Sequence, residues 1–199
     1  MAYSDFTTLT AVQKKFDLIV DETRSLFANI PEIQISTHLQ TTLQENVPLA
    51  LAIATEKARS EMIIVPILVE LRKLVHRQIS LFSGVDFTVD EANGLNGVCD
   101  YIISRSPHQF AVNAPILMLV EAKNEDMKRG LSQCLAEMVA AQLFNAREGN
   151  TSHLVYGVVT TGSNWRFLIL QDRTVLIDLS EYFINESGKI LAILLHSVA

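Results

Sequence analysis

The sequence predicts an α/β fold in which helices flank a mixed β-sheet. Its 199 residues are 49% hydrophobic and 19% charged, which is typical of one globular domain. The hydrophobic pattern has a helical period up to about residue 78 and a period of two after it. A further helical segment then separates two groups of strand-like segments. A helix between strands indicates a crossover, and therefore parallel pairing in part of the sheet.

The first 48 residues are interpreted as a helical and irregular extension of this domain. Residues 9–16 have a helical pattern, and residues 17–20 favour an extended segment. The sequence Asn29-Ile30-Pro31 then interrupts the pattern. Residues 36–45 predict a short helix that ends before Pro48, because the residue before a proline disfavours the helical conformation.

A long central helix is predicted over residues 49–78. Residues 55–59 favour helix, and basic residues lie near the carboxyl end, where the helix dipole favours positive charge. Pro66 should kink this helix, so two abutting helices are an alternative. Residues 62–69 are apolar on all sides, which predicts that neighbouring elements cover most of the helix.

The sheet is predicted from residue 79 onward. Residues 79–90 favour an extended segment with a bend or bulge at Gly84. The remaining predicted elements are strands at 98–104 and 116–123, a helix that opens at 124–127 and runs to about 145, and strands at 154–160, 165–171 and 175–178.

The carboxyl-terminal part completes a single domain. Residues 161–164 predict a hairpin turn, and residues from about 190 to 198 predict a final helix. Residues 49–178 are therefore the predicted core, and residues 179–199 are the segment that contains the closing helix.

Charge and composition exclude several classes of protein. The net charge of −6 argues against tight non-specific binding of nucleic acid, which usually needs a basic surface. The longest apolar run, residues 62–69, is far shorter than the ~20 residues that span a bilayer, and no signal peptide is visible. Two cysteines, Cys99 and Cys134, cannot make a disulfide framework. We therefore expect a cytoplasmic protein with reduced thiols and no membrane association.

One group of charged residues lies within very apolar predicted strands. Asp100 belongs to the strand at 98–104, and Glu121 and Lys123 end the strand at 116–123, where they share one face. Such charges are costly unless they pair with each other or bind a cation. Two carboxylates on adjacent strands can bind Mg²⁺, and a nearby lysine can orient a water nucleophile or stabilise charge on a phosphate. The alternative is a structural salt bridge between Lys123 and either acid.

This arrangement resembles the PD-(D/E)XK nuclease superfamily, in which a carboxylate in one strand precedes an E-x-K sequence at the end of the next strand and a helix follows. The resemblance covers residues 49–178 and extends to small stand-alone cyanobacterial members. It implies a restriction-endonuclease-like sandwich that binds Mg²⁺ or Mn²⁺ through Asp100, Glu121 and the Ala122 carbonyl. It also implies that Lys123 positions the attacking water, that DNA is the substrate, and that a homodimer is possible.

Two helices extend the resemblance. Thr55-Glu56, followed by Pro66, resembles the first helix of the nuclease domain in type I restriction motor subunits, which implies that Glu56 completes the site. An arginine follows that glutamate by four residues in the motor subunits, whereas Arg59 follows Glu56 by three. The later helix resembles the glutamine-bearing helix of RecB-like members and implies a site role for Gln133.

Several positions keep alternative interpretations. Gln142 is the other glutamine of the later helix, and no tyrosine lies four residues after either glutamine. Gln142 fits a buried amide, and Gln133 could simply bond to Glu137 one turn away. Lys128 and Arg129 could contact a phosphate backbone or form a solvated face.

The glutamates of the central helix are also open. Glu56 could lie on a solvated helix face, and Glu61 could equally be the carboxylate that joins the site. Glu70 lies on an apolar stripe, so it is either half-buried and paired or close to the site. The sequence alone does not choose among them.

The function predicted from these residues is metal-dependent hydrolysis of phosphodiester bonds in DNA. Asp100, Glu121 and Lys123 carry the prediction, with Gln133 and either Glu56 or Glu61 around them. One alternative is a catalytically inactive nuclease fold that acts as a protein-interaction module, which the acidic net charge favours. Another is an enzyme acting on a small phosphorylated substrate, which would need no DNA groove.

Overall fold

The protein is described by a computed structural model that covers residues 2–199. Its helices are α1 (Leu9–Phe16), α2 (Thr37–Ile53), α3 (Glu56–Arg59), α4 (Val65–Leu74), α5 (Met127–Arg147) and α6 (Ser187–Val198). Its strands are β1 (Ile19–Asp21), β2 (Ser80–Asp86), β3 (Val98–Ser104), β4 (Ile116–Ala122), β5 (Leu154–Thr160), β6 (Asn164–Gln171), β7 (Thr174–Ile177) and β8 (Tyr182–Phe183).

The eight strands form one mixed sheet. Their order is β1-β7-β6-β5-β4-β3-β2, and β8 pairs with the start of β6. The β4–β5 and β1–β7 pairs are parallel, and the other pairs are antiparallel. Helix α5 makes the crossover between the parallel strands β4 and β5. The prediction of an α/β fold with a mixed sheet flanked by helices is therefore confirmed.

Helices cover both faces of the sheet. Apolar side chains of α2, α4 and α6 pack with Tyr101, Val120 and Phe167 on one face. On the other face, side chains of α1 and α5 pack with residues such as Ile102 and Leu119. Neighbouring residues of β3 and β4 thus alternate between the two apolar cores, as expected for strands that are buried on both sides. No helix of residues 2–199 is long and apolar enough to cross a membrane.

Helix α2 corrects two predicted boundaries. It continues through Pro48 to Ile53, so neither a helix end before Pro48 nor a helix start at residue 49 is right. Proline removes the hydrogen bond to the carbonyl of Gln44, but both residues are exposed, so water can take that bond. The helix ends instead at Ala54, which has the left-handed φ of 57° and donates its N–H to the Ala50 carbonyl.

Pro66 does not break the central helix, which runs from α3 through a π-helical turn (Ser60–Ile64) into α4. The N–H of Val65 donates to the carbonyl of Ser60, five residues back. A residue other than proline at position 66 would donate to the Met62 carbonyl. That carbonyl accepts from Asn46 Nδ2 of α2 at 3.0 Å instead, so a side chain replaces the bond that the proline removes.

The predicted distortion near Gly84 is a bend. The β2–β3 register is the same on both sides of Gly84, which has a φ of +63°, so no residue is inserted there. A register shift occurs instead between Ile103 and Ser104, where β3 meets β4. Strand β2 also ends at Asp86 rather than at residue 90.

Candidate functional site

The ends of β3 and β4 bring Asp100 and Glu121 together. The two strands are antiparallel neighbours, and their pairing runs from Ile116 opposite Ser104 to Val120 opposite Tyr101. Beyond that pair, Asp100 Oδ2 accepts the backbone N–H of Ala122 at 2.8 Å. A side-chain carboxylate thus takes the place of a backbone carbonyl, which fixes Asp100 beside β4.

Lys123 lies next to these acids because β4 remains bound to β5 on its other side. Its backbone N–H donates to the Thr160 carbonyl at 2.8 Å, which extends the β4–β5 pairing by one residue. The side chains of Glu121 and Lys123 form an ion pair and are only 1% and 16% exposed. The expected salt bridge is therefore present, and it lies in the same place as Asp100.

A cleft of about 560 Å³ opens above this group. It is lined by Ser4, Glu56, Asp100, Glu121, Lys123, Asn124, Glu125, Asp126, Arg129 and Gln133. Five of these residues are acidic and two are basic, so the cleft attracts cations.

The first turn of α5 forms one wall of the cleft. Asp126 caps the helix by accepting the N–H of Arg129 at 3.0 Å. A Cβ atom at Gly130 would lie 2.6 Å from Val159 Cγ1 and 2.9 Å from Lys123 Cγ. The missing side chain therefore leaves room for the Lys123 stem between α5 and β5.

Glu56 is the helix glutamate that reaches the cleft. It is exposed at the rim, and its Oε2 accepts the backbone N–H of Asn124 at 3.1 Å. Arg59 of the same helix donates to the Thr161 carbonyl at 3.1 Å, which holds α3 against the turn after β5. Together these two bonds place α3 over the carboxyl ends of β4 and β5.

The structure does not bring Glu61 or Glu70 to the cleft. Glu61 is exposed and pairs with Lys57 at 2.6 Å, so it does not join Asp100 and Glu121 as the alternative assignment required. Glu70 is buried, accepts the N–H of Ser36 at 3.2 Å and pairs with Lys73 at 3.4 Å. Glu70 therefore fastens the start of α2 to α4.

The residues of α5 are divided between the cleft and the surrounding structure. Gln133 and Arg129 line the cleft, and Arg129 also donates to the Ser4 carbonyl at 3.2 Å. Lys128 is exposed and lies outside the cleft lining. Gln142 donates to the His153 carbonyl at 2.6 Å, away from the cleft. Ser4, from the amino-terminal segment, was not predicted to line the site.

Glu137 is a buried acid that the sequence-based site assignment omitted. It is 0% exposed, and its Oε1 accepts from Gln133 Nε2 at 3.4 Å, the contact that the one-turn spacing allowed. Its carboxyl group also lies within hydrogen-bonding reach of Glu121. The signal in the sequence was an acid inside the otherwise apolar stretch 134–138, one turn beyond Gln133.

The two glutamates have strongly perturbed pKa values. Burial raises the pKa of Glu121 to about 8, and the nearby Asp100 adds to this shift while Lys123 opposes it. Burial, together with Glu121 and Asp100, raises the pKa of Glu137 well above its usual range. Without a further cation, the pair therefore retains a proton at neutral pH.

The pKa of Lys123 is raised, whereas burial lowers the pKa of most lysines. Burial disfavours its ammonium group, but Glu121, Asp100 and Glu56 outweigh that effect and raise the pKa of Lys123. The side chain therefore stays charged at neutral pH. It can stabilise an anion or hold a water molecule, but it cannot act as a general base.

The carboxylate oxygen atoms at the floor of the cleft are of the type that could hold a hard divalent cation. When both carboxyl groups are ionised, Glu121 Oε2 at the cleft floor has no hydrogen-bond donor, and neither does Glu137 Oε2 in the core behind it, although both atoms are buried. Carboxylate oxygens are the ligands that Mg²⁺ and Mn²⁺ prefer. Within residues 2–199, however, no three His, Cys, Asp or Glu side chains form a ready metal cluster. Of the five acidic side chains that line the cleft, Asp100 and Glu121 come from adjacent strands and are the candidate ligands.

Comparisons with known proteins assign the chain to no family. No protein-family model matches the chain, and a search of curated proteins finds no match.

Proposed function

We propose that this protein is a metal-dependent nuclease that hydrolyses phosphodiester bonds in DNA, and that its fold is the restriction-endonuclease-like form of the α/β sandwich. The observation that carries the proposal is the convergence of Asp100, Glu121 and Lys123 in one cleft, from adjacent strands of a mixed sheet. The position of Glu56 at the rim of that cleft adds support.

Asp100, Glu121 and the carbonyl of Ala122 are the groups that would hold Mg²⁺ or Mn²⁺. The bound ion would supply Lewis acidity and lower the pKa of a water ligand. Asp100 is held for this task by the N–H of Ala122, and Glu121 is held by Lys123. Asp100 is partly exposed in the cleft, so one carboxylate faces solvent while the other lies at the buried floor.

Lys123 would act on the phosphate and the attacking water. Because its ammonium group remains charged, it can donate hydrogen bonds to both and offset the negative charge that develops on the phosphate. Arg129 lies on the α5 wall of the same cleft, where its guanidinium can contact a neighbouring phosphate. Gln133 would support the floor of the cleft through Glu137.

The alternative, a nuclease-like fold that binds a protein partner without cleavage, is favoured by one observation. Five acidic residues and two basic residues line the cleft, and the whole chain carries a net charge of −6. A cation would offset part of this charge before a nucleic acid could approach, so DNA binding by a nuclease should require Mg²⁺ or Mn²⁺.

A cleavage and binding experiment separates the two functions. Purified protein is incubated with single-stranded, duplex and branched DNA, with Mn²⁺, with Mg²⁺ and with EDTA, and binding is measured over a range of salt concentrations. We expect metal-dependent cleavage that Lys123→Ala slows by ~10²–10³-fold. Lys57→Ala is the matched control, because Lys57 also pairs with a glutamate but lies on an exposed helix face. Failure of the wild-type protein to cleave any of these DNAs would favour the interaction module.

A further inference from the structure

Glu137 is buried at a point where the fold has no need of a charge. Its neighbours on α5, including Leu135 and Met138, belong to the apolar core beneath the sheet. Within residues 2–199, Glu137 forms no ion pair with a lysine or an arginine. A buried carboxyl group without a cationic partner destabilises a protein relative to an apolar side chain of similar size.

Glu137 makes its polar contacts with Gln133 and Glu121, two side chains that line the cleft. Gln133, which lines the cleft, donates to Glu137 Oε1 at 3.4 Å. The Glu137 carboxyl group in turn lies against that of Glu121, the acid at the cleft floor. Glu137 itself does not line the cleft. The three side chains therefore form a connected series from the cleft wall, through the core, to the back of Glu121.

We infer, on the basis of the proposed function, that Glu137 is a positioning residue for divalent-cation binding. Its carboxyl group holds Glu121 in the orientation in which Glu121 binds the cation, and Gln133 holds Glu137. A group that hydrogen-bonds to a metal ligand on the side away from the metal restricts the rotation of that ligand. Removal of such a group commonly changes metal affinity by about 10–100-fold. This positioning role explains why an acid is buried at position 137, where packing alone would favour an apolar residue such as leucine.

Two substitutions separate positioning from charge and from packing. Glu137→Gln keeps the shape and supplies an amide N–H to Glu121, while its carbonyl can still accept from Gln133. Glu137→Leu keeps the approximate volume and removes both the hydrogen bond from Gln133 and the polar contact with Glu121. Leucine should not lower the melting temperature in EDTA, because an apolar residue replaces a buried, unpaired acid. A loss of cation affinity in this variant would therefore not result from unfolding.

The experiment measures Mn²⁺ binding by isothermal titration calorimetry and by the electron paramagnetic resonance signal of free Mn²⁺, and melting temperatures in EDTA. We expect Glu137→Gln to bind Mn²⁺ about as tightly as the wild type, and Glu137→Leu to bind it about 10–100-fold more weakly. The matched control is Glu70→Gln, a buried acid on α4 that is bonded to Ser36 and Lys73. That substitution should lower the melting temperature and leave Mn²⁺ affinity unchanged.

Each possible outcome supports or contradicts a positioning role for Glu137. If Glu137→Leu binds Mn²⁺ like the wild type, or if Glu137→Gln is as weak as Glu137→Leu, Glu137 does not position Glu121, and the proposed nuclease function is unaffected. If the wild type binds no Mn²⁺, the proposed function and this inference both fail. Should Glu137→Leu not fold, Gln133→Leu gives the same decision, with an expected two- to tenfold loss of affinity, the equivalent of one neutral hydrogen bond.

Discussion

The perturbed carboxyl group of Glu121 predicts an unusual dependence of stability on pH. Folding moves this group from water to a site that is almost fully buried, beside Asp100 and Glu137. Its pKa rises from 4.5 in the unfolded chain to about 8 in the folded protein. We expect Glu121→Gln, which is neutral at every pH and nearly the same shape, to become increasingly more stable than the wild type as pH rises.

The sign and size of this effect follow from proton linkage. Between pH 4.5 and about 8, the buried carboxyl pair Glu121 and Glu137 of the folded protein holds a proton that the unfolded chain has released. The wild type is therefore destabilised as pH rises through this interval, by about 1.4 kcal/mol for each pH unit. The destabilisation is absent below pH 4.5 and complete above pH 8. At pH 8 and above it amounts to as much as about 5 kcal/mol for this one group, and Glu121→Gln removes it.

Urea-induced unfolding at pH values from 5 to 8.5, in EDTA, measures this difference directly. The free energies of unfolding of the wild type and Glu121→Gln should be similar at pH 5 and should diverge steadily toward pH 8. Glu61→Gln is a suitable control, because Glu61 is exposed and pairs only with Lys57 at the surface. Its difference from the wild type should stay within about 1 kcal/mol at every pH. Parallel curves for the wild type and Glu121→Gln would refute the reasoning about burial and charge at the cleft floor.

Three further expectations concern the same site. Mn²⁺ at a hundred times its Kd should raise the melting temperature of the wild type by about 5 °C or more and leave Glu121→Gln unchanged, and equal responses would place the cation elsewhere. Lys123→Ala should lose ~10²–10³ in cleavage rate while it still binds Mn²⁺ in calorimetry, whereas Asp100→Asn should lose both, because an ammonium group cannot ligate a metal. Gly130→Ala should cost about 1–3 kcal/mol in urea-induced unfolding, since its Cβ would clash with Val159 and Lys123. An unchanged stability would show that α5 can move away from the sheet.

Most of the strands, and the order of the elements along the chain, could be predicted from the sequence, although β8 was not. The observed β3 and β5 have the predicted limits of 98–104 and 154–160, because alternating or continuous apolar runs between turn residues are local signals. The face shared by Glu121 and Lys123 also follows from local alternation, and the observed ion pair agrees with it. These features depend on residues close together in the chain.

Tertiary contacts determined how the helices accommodate their prolines and how the strands pair, which local sequence patterns do not predict. Helix α2 tolerates Pro48 because Gln44, whose carbonyl loses a donor, is an exposed residue, and the central helix tolerates Pro66 because Asn46 of another helix replaces the missing bond. A rule that considers only neighbouring residues cannot predict Asn46 as the donor, because Asn46 is 16 residues from Met62 in the chain. The strand order and the parallel pairing of β4 with β5 likewise depend on how α5 packs.

The candidate site illustrates the same division. Asp100, Glu121 and Lys123 could be selected from the sequence because charges within apolar strands are costly and therefore conspicuous. The choice of Glu56 over Glu61 required the bond from Asn124, which is 68 residues away in the chain. Glu137 was hidden because a single acid within a helix is ordinary in sequence and becomes unusual only when the sheet buries it against Glu121. Burial and long-range proximity set the energy of a charge, and the folded chain alone determines both.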